Sequence, residues 1–291
     1  MIDVFRTPDE RFAGLPDWPF SPRYTTADGL QIHYVEEGEG DPILLLHGEP
    51  TWGFLYRKLI PRLAAVGRVI VPDLLGFGRS DKPVAREWYS YDAHFASLER
   101  FALELDVREA TLVVHDWGGP LGLRLAVEHP ERVARLVILN TGVGVGAPSD
   151  DWLLFRELVR RAGDDFTPSR LVQASCVTRL DDEVLRGYDA PFPEPAAKAG
   201  VLAFPELVPT EPGHPSAAAM VAVRESLARW ERPTLVLFSD SDRVFSPAHA
   251  ERLAAHIPGA LPAEIVEGAG HFLQEDRGEE IAERIARFVR A

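Results

Sequence analysis

The chain has 291 residues, 46% of them hydrophobic, so it is long and apolar enough to bury a large core and is not expected to be disordered. Its 45 acidic and 31 basic residues give a net charge of −14, which argues against nucleic acid and anionic membrane surfaces as partners. The single cysteine, Cys176, excludes an internal disulfide and a cysteine-based zinc site and agrees with a reducing cytoplasm.

Short apolar runs rich in β-branched residues recur along the chain and predict strands that are buried on both faces. An antiparallel pair comes first, with a turn at Asp28-Gly29 and its second arm at 31–35. The further strands are predicted at 43–46, 68–71, 111–114, 136–139, 234–238 and 264–266, and helices at 91–105, 121–128 and 279–289. Because strands and helices alternate, we predict an α/β fold with a mostly parallel sheet of about eight strands.

The strand rhythm stops between residues 143 and 227, where helical segments and proline-rich joints such as 190–195 replace it. We therefore expect a helical cap at 143–227, inserted in a core domain that is formed by residues 1–142 and 228–291. No apolar run reaches the roughly 20 residues that a membrane-spanning helix needs. The first residues also lack the basic flank and apolar core of a secretion signal, so we expect a soluble, cytoplasmic protein.

The most informative stretch is 112–119, LVVHDWGG, in which an apolar strand runs into a sharp turn that carries a carboxylate. It is typical of a nucleophile elbow, with Asp116 where serine is common and with Gly118 and Gly119 as the small residues beyond it. A carboxylate that attacks a tetrahedral carbon leaves an alkyl ester that water can still cleave, whereas serine would leave an inert ether. Aspartate at this position therefore predicts displacement of a leaving group from carbon.

Two further polar groups follow later strands. Asp242 comes after the strand at 234–238, and His271 comes after the strand at 264–266. The order of nucleophile, acid and histidine is that of α/β-hydrolase triads, whose members lie on loops at one edge of the sheet. We predict Asp116 as nucleophile, His271 as base and Asp242 as the acid that orients it, with Asp240 as the competing acid.

The loop after the strand at 43–46 reads HGEPTW and is placed to supply a backbone N–H. In hydrolases of this fold, that N–H and the one after the nucleophile hold an oxyanion, so Glu49 and Trp117 are the predicted donors. His47 is interpreted as a structural residue. No second histidine or carboxylate stands at zinc spacing, so no metal and no cofactor are expected.

These residues together resemble the haloalkane dehalogenases of the α/β-hydrolase superfamily, in particular the subfamily with an Asp, His, Asp triad. The matching stretches span nearly the whole chain and are HGEPTW at 47–52, PDLLGFGRSDKP at 72–83, HDWGG at 115–119, GYDAPFP at 187–193 and GHFLQED at 270–276. The motif at 72–83 is common across the superfamily, while Glu49, Trp117 and the motif at 187–193 are more specific.

The resemblance implies hydrolysis of small haloalkanes through an ester on Asp116. It also implies two tryptophan N–H groups that bind the departing halide. The indole of Trp117 would supply the first N–H group. In this subfamily the second N–H group belongs to a cap tryptophan that stands three residues after a phenylalanine. Here the corresponding stretch carries the two aromatic residues in swapped order, with Trp152 first and Phe155 in the position of the family's tryptophan. Trp152 is therefore the candidate for the second N–H donor, one helical turn before the expected position.

By the same resemblance, six apolar residues are predicted to wall the substrate pocket, although each could equally be plain core: Phe155, Phe204, Pro205, Val244, Phe245 and Phe272. The expected partners are a small apolar halogenated substrate, halide ion and water, in a monomer or weak homo-oligomer. One alternative is an epoxide hydrolase, which uses the same aspartate elbow but usually two cap tyrosines, where this cap offers only Tyr188. The other is a binding relative that has lost turnover.

Overall fold

The computed structural model describes residues 2–146 and 148–291. Its strands are β1 (Val4–Phe5), β2 (Arg23–Ala27), β3 (Leu30–Glu37), β4 (Pro42–Leu46), β5 (Arg68–Pro72), β6 (Lys82–Pro83), β7 (Ala110–His115), β8 (Val133–Leu139), β9 (Thr234–Ser239) and β10 (Glu264–Val266). Its α-helices are α1 (Ile60–Leu63), α2 (Tyr91–Glu104), α3 (Gly118–Glu128), α4 (Asp150–Ala162), α5 (Pro168–Ala174), α6 (Asp182–Asp189), α7 (Ala199–Ala203), α8 (Ala217–Leu227), α9 (Pro247–His256) and α10 (Leu273–Arg290). Short 3₁₀ helices lie at Asp9–Phe12, Gly53–Tyr56, Arg86–Trp88, Pro130–Arg132, Gly163–Asp165, Pro195–Lys198 and Phe204–Leu207.

An eight-stranded sheet with the order β10-β9-β8-β7-β4-β5-β3-β2 forms the centre of the molecule. The pairs from β10 through to β5 are parallel, and β3 pairs antiparallel with both β5 and β2. The side chains of β7 and β9 are buried along their whole length, as expected for strands covered on both faces by helices. The predicted α/β architecture is therefore confirmed, including its antiparallel edge at β2 and β3.

Strand β8 begins at Val133, three residues before its predicted start, and helices α3 and α10 also begin earlier than predicted. A two-stranded ribbon of β1 and β6, which pairs Val4 with Pro83, was not predicted, since two-residue strands leave no periodic pattern. Helix α3 begins at Gly118, three residues before the predicted start, where the chain packs too closely for a side chain. Helix α10 begins at Leu273 and is interrupted by non-helical backbone at Arg277, so its first turn was missed.

Between β8 and β9 the described residues form helices α4 to α8 and three of the 3₁₀ helices, with no strand among them. The chain leaves the sheet after Leu139 and returns to it at Thr234. None of the described helices is both long and apolar enough to cross a lipid bilayer. Because β4, β7 and β9 run in parallel, the loops that follow them emerge at one edge of the sheet, and this edge carries the polar residues described next.

Candidate active site

The turn after β7 presents the Asp116 side chain at the carboxyl edge of the sheet. Asp116 has a φ of 48°, a left-handed conformation that is uncommon for a residue with a side chain and that typifies a nucleophile elbow. Its carbonyl accepts hydrogen bonds from the Thr141 hydroxyl at 2.6 Å and from the Gly119 N–H at 2.8 Å. A Cβ at Gly118 would overlap the Leu46 carbonyl, and one at Gly119 would overlap Thr141. The two glycines are therefore required by close packing around the strained turn.

The structure brings the three predicted triad residues together. His271 donates from Nδ1 to Asp242 Oδ2 at 2.8 Å, and its Nε2 lies 3.5 Å from Asp116 Oδ2. The Asp116 side chain is 19% exposed and that of Asp242 is fully buried, so only Asp116 is open to a small molecule. Asp240 lies elsewhere, because its carboxylate accepts the N–H groups of Gly268 and Ala269.

The charges of this cluster shift the pKa values of its members. Burial opposes the charged forms, but the Asp242 carboxylate and the hydrogen bonds to both aspartates outweigh it and raise the pKa of His271 to about 10. Burial likewise opposes ionisation of Asp116, but hydrogen bonding to His271 and its positive charge hold the pKa of Asp116 below its ordinary value. At neutral pH the open site therefore holds an imidazolium between two carboxylates.

The two predicted oxyanion donors face the Asp116 carboxylate. The Glu49 N–H donates to Asp116 Oδ1 at 2.8 Å, and the Trp117 N–H also interacts with this carboxylate and helps to lower its pKa. His47 holds the loop in place, because its Nδ1 donates to the Gly48 carbonyl at 2.9 Å and its Nε2 accepts from the Leu74 N–H at 2.9 Å. The two oxygens of Asp116 are thus in different environments: Oδ1 is held by a backbone N–H and Oδ2 faces His271.

The Glu49 side chain is buried beside the nucleophile, at 6% exposure. Burial and then the negative charge of Asp116 raise its pKa well above the ordinary range. Its Oε1 has no hydrogen-bond partner among the residues that the structure describes. Burial and the Asp116 charge therefore both favour the protonated form of the Glu49 carboxyl.

Two residues that the sequence analysis did not identify support the histidine loop. Asn140 follows β8, and its Nδ2 donates to the carbonyls of Gly270 at 3.1 Å and His271 at 3.0 Å and to the Ser239 hydroxyl at 2.8 Å. His115 donates from Nε2 to the same His271 carbonyl at 2.9 Å, and burial, with the nearby charge of His271, lowers the pKa of His115 to about 4. A polar residue at the end of a central strand was the available signal for Asn140.

The aromatic residues lie around this centre. Phe245 stacks on His271 with ring centroids 6.0 Å apart, and Phe272 meets His271 edge-on at 4.8 Å. Phe204 is fully buried and packs edge-on against the Trp117 indole at 5.1 Å. Pro205 is buried, and Val244 and Phe155 are half-buried. Their roles as pocket walls remain predictions.

The two predicted halide donors differ in their surroundings. Trp117 is 7% exposed, and its indole N–H has no acceptor among the described residues, so the donor is free for a ligand. Trp152 is 9% exposed on α4, where the Arg156 guanidinium lies 5.0 Å from its ring. No aromatic contact links Trp152 to Trp117 within the described part of the chain. Within the same residues, no three histidine, cysteine or acidic side chains are grouped so as to hold a metal ion.

Known proteins resemble this chain over nearly its whole length. The family model of the α/β hydrolase fold matches residues 41–278. Haloalkane dehalogenase 1 of Mycobacterium tuberculosis is 46% identical over 304 residues, which cover all of both chains. A haloalkane dehalogenase of Mycobacterium marinum is 44% identical and covers 98% of this chain and 99% of its own.

A solved structure extends the match to three dimensions. The tetrameric haloalkane dehalogenase DpaA from Paraglaciecola agarilytica superimposes with a TM-score of 0.91 at 33% identity, over 97% of each chain. The aspartate elbow, the histidine with its acid and the two facing N–H groups thus occur in a chain whose relatives carry this name over their full length. The chain belongs to the haloalkane dehalogenase family of α/β hydrolases.

Proposed function

We propose that this chain hydrolyses the carbon–halogen bond of small haloalkanes to an alcohol and a halide ion, with Asp116 as nucleophile, His271 as base and Asp242 as the residue that orients the base. The observation that carries the proposal is the asymmetric environment of the Asp116 carboxylate. Oδ1 accepts the Glu49 N–H at 2.8 Å, whereas Oδ2 lies 3.5 Å from His271 Nε2 and is the oxygen that we propose bonds to carbon. An alkyl ester of aspartate can be hydrolysed, so the enzyme is regenerated.

In the first step, Asp116 Oδ2 attacks the halogen-bearing sp³ carbon. The new carbon–oxygen bond forms as the carbon–halogen bond breaks, and the halide departs with the bonding electrons. The lowered pKa of Asp116 keeps this carboxylate ionised at neutral pH, as nucleophilic attack requires. The product is a neutral alkyl-aspartate ester and a halide ion.

The halide forms in a site shielded from water, where an anion without hydrogen bonds is costly. The free indole N–H of Trp117 is the first donor that we propose. Trp152 on α4 remains the candidate for the second donor, with Phe155 one turn further on. A hydrogen bond to a charged group contributes about 1.5–3 kcal/mol, so each donor matters for the rate.

In the second step, His271 Nε2 accepts a proton from water while the water oxygen bonds to the Asp116 carbonyl carbon. The charge of Asp116 contributes to the raised pKa of His271, after the larger contribution of the Asp242 charge. Esterification removes the Asp116 charge, which lowers the pKa of His271 and lets the imidazolium release its Nε2 proton to solvent, so that the neutral imidazole is available as a base. The oxyanion that forms on Oδ1 receives the Glu49 and Trp117 N–H groups, and its collapse expels an alkoxide that takes the proton from His271. Asp116 is then a carboxylic acid, and transfer of its proton to His271 restores the resting imidazolium and carboxylate.

We also propose that residues 143–227 are the cap of this site and that 1–142 and 228–291 are the core. The helices between β8 and β9 support this division, as does a hydrogen bond from Trp52 Nε1 to the Gly187 carbonyl at 2.9 Å. The pocket would lie between cap and core, walled by the aromatic residues named above. Cytoplasmic location and a monomer or weak homo-oligomer remain predictions, and sedimentation tests the latter against the tetramer of the Paraglaciecola agarilytica relative.

Epoxide hydrolysis is the main alternative, and the position of the cap tyrosine weighs against it. Opening an epoxide needs an acid near the ring oxygen, yet Tyr188 is fully buried and donates its hydroxyl to Glu275. Tyr56 ends the 3₁₀ helix that follows the loop after β4, and its hydroxyl donates to the Leu46 carbonyl at 2.8 Å. Neither hydroxyl is free for a substrate, which favours halide as the leaving group.

The test is a panel of short bromo- and chloroalkanes, with styrene oxide beside them and Asp116→Ala as control. We expect halide release and acidification that disappear in the variant. His271→Gln should stop the reaction after alkylation, so the added alkyl mass should accumulate on the peptide that contains Asp116. Diol from the epoxide without halide release would refute the proposal in favour of an epoxide hydrolase, and ligand binding without either product would indicate a binding relative.

A further inference from the structure

The loop that carries His271 is hydrogen-bonded directly to the cap. The contact is made by residues 175–178, the first part of the connection from α5 to α6, which we name the cap link. The His271 N–H donates to the Ser175 carbonyl at 2.8 Å. Gly270 lies so close to the cap link that a Cβ on it would overlap the same carbonyl. Movement of the cap link therefore shifts the backbone of the proposed base.

Asp276 also holds the histidine loop and the cap link together. It lies in the first turn of α10 and is 9% exposed. Its Oδ2 accepts the N–H of Gly270 at 2.8 Å and that of Val177 at 3.0 Å, and its Oδ1 accepts the N–H of Thr178 at 2.6 Å. One carboxylate thus joins the histidine loop and the cap link through three charge-assisted hydrogen bonds, which are the stronger kind.

The turn that carries Asp276 is itself anchored in the core. The neighbouring Glu275 is fully buried and forms a bidentate ion pair with Arg57, at 2.5 and 2.8 Å. Its backbone carbonyl accepts from Lys58 Nζ at 2.7 Å. Because this turn is held by the core, Asp276 is a fixed point to which both the histidine loop and the cap link are tied.

We propose that Asp276 is a positioning residue for ester hydrolysis, which ties the cap link to the His271 loop and so holds the imidazole in place to activate water. The proposal rests on the proposed function, in which His271 removes a proton only in the second step. Asp116 attacks carbon without help from a base. Loosening Asp276 should therefore slow ester hydrolysis and leave alkylation nearly unchanged.

The variant to make is Asp276→Asn, which keeps the size of the side chain. An amide has an acceptor at only one end, so at least one of the three N–H groups loses its partner and meets an N–H₂ group instead. The matched control is Asp240→Asn. Asp240 also accepts backbone N–H groups of the histidine loop, those of Gly268 and Ala269, but it has no hydrogen bond to the cap link.

The measurement is rapid quenching during turnover of a short bromoalkane, with the ester-bearing fraction of enzyme read by mass spectrometry. Dividing kcat by that fraction yields the rate constant of ester hydrolysis. We expect it to fall about tenfold in Asp276→Asn, since small misplacements of a catalytic group are costly. The ester fraction should rise accordingly, while Asp240→Asn should match the parent. Partial unfolding lowers kcat without raising the ester fraction, so it cannot imitate the result.

An unchanged rate constant of ester hydrolysis in Asp276→Asn would overturn the proposal, and so would an equal fall in Asp240→Asn, which would assign the effect to the loop alone. A parent enzyme that releases no halide and carries no ester would refute the proposed function itself. The two failures are distinguishable, because failure of the proposed function is read on the parent enzyme and failure of the Asp276 proposal is read on the variants.

Discussion

Replacement of Gly48 by alanine is expected to disable the site while leaving the fold intact. An ideal Cβ at this position would lie 2.5 Å from the Asp116 Cβ and 2.5 Å from the Trp117 nitrogen, and it would overlap Asp116 Oδ1. Non-bonded carbon atoms prefer a separation of about 3.5 Å, so the methyl group forces the neighbouring atoms away by about 1 Å. The atoms that must move belong to Asp116, the proposed nucleophile, and to Trp117, a proposed oxyanion donor.

A misplacement of about 1 Å at a reacting centre costs on the order of a hundredfold in rate. This corresponds to about 2.7 kcal/mol of lost transition-state stabilisation. Gly48 does not have a positive φ, so alanine itself is not strained there, and the clash is confined to the site. We therefore expect kcat/KM for halide release to fall about a hundredfold with a small change in Tm.

Gly213→Ala is the matched control, because nothing lies within 4 Å of a Cβ at that position. Its kcat/KM and Tm should equal those of the parent. The assay is bromide release from a short bromoalkane, together with thermal unfolding of both variants. Parent-like activity of Gly48→Ala would refute the inference that the loop after β4 fits this closely against Asp116.

Four further substitutions test the proposed N–H donor to halide, the proposed base and the buried ion pair. Trp117→Phe should slow the halide burst by about one to two decades, because a hydrogen bond to a charged group is lost, and stopped-flow halide detection checks this. The pKa of His271, about 10 in the parent, should fall in Asp116→Asn, because a neutral amide replaces the charged carboxylate. NMR titration of the imidazole measures this pKa, and an unchanged value would contradict the role of the Asp116 charge. Glu275→Gln should lower the free energy of unfolding by about 3–5 kcal/mol, because it leaves Arg57 buried without its partner. Tyr188→Phe, which removes one hydrogen bond to Glu275, should cost only about 1 kcal/mol in the same denaturant titration.

The strands and the elbow could be predicted because their signals are local. Residues 112–114 are consecutive apolar positions after the β-branched Thr111, and the residue types at 116, 118 and 119 define the turn on their own. The positions of Asp242 and His271 could be predicted in the same way. Each residue lies in the loop that follows a predicted strand, and parallel strands end at one edge of the sheet. Convergence of the three side chains was then a consequence of topology.

The supports of the site could not be predicted in this way. Asn140 and Asp276 bind backbone groups that are distant in the sequence, such as the carbonyl of His271 and the N–H of Thr178. Backbone partners leave no mark on the amino-acid sequence, so nothing in the motif at 270–276 indicated that Asp276 contacts the cap. The raised pKa of Glu49 likewise depends on its burial, which becomes visible only once the loop is folded against Asp116.

The cap was the hardest part to predict at the level of single residues. Its helices are short and separated by proline-rich joints, so periodicity predicted helical content but not which side chains face the site. The swapped order of Trp152 and Phe155 illustrates this. Trp152 lies on α4 with Arg156 beside its ring, while Phe155 is half-buried one turn away.

Single turnover in water labelled with heavy oxygen tests the covalent mechanism most directly. With enzyme in excess over a short bromoalkane, water attacks the Asp116 carbonyl carbon, so the labelled oxygen should enter the Asp116 carboxylate and the first alcohol released should be unlabelled. Mass spectrometry of the peptide that contains Asp116 measures the label. Labelled alcohol with unlabelled Asp116 would show that water attacks the substrate directly, and it would contradict a covalent ester on this aspartate.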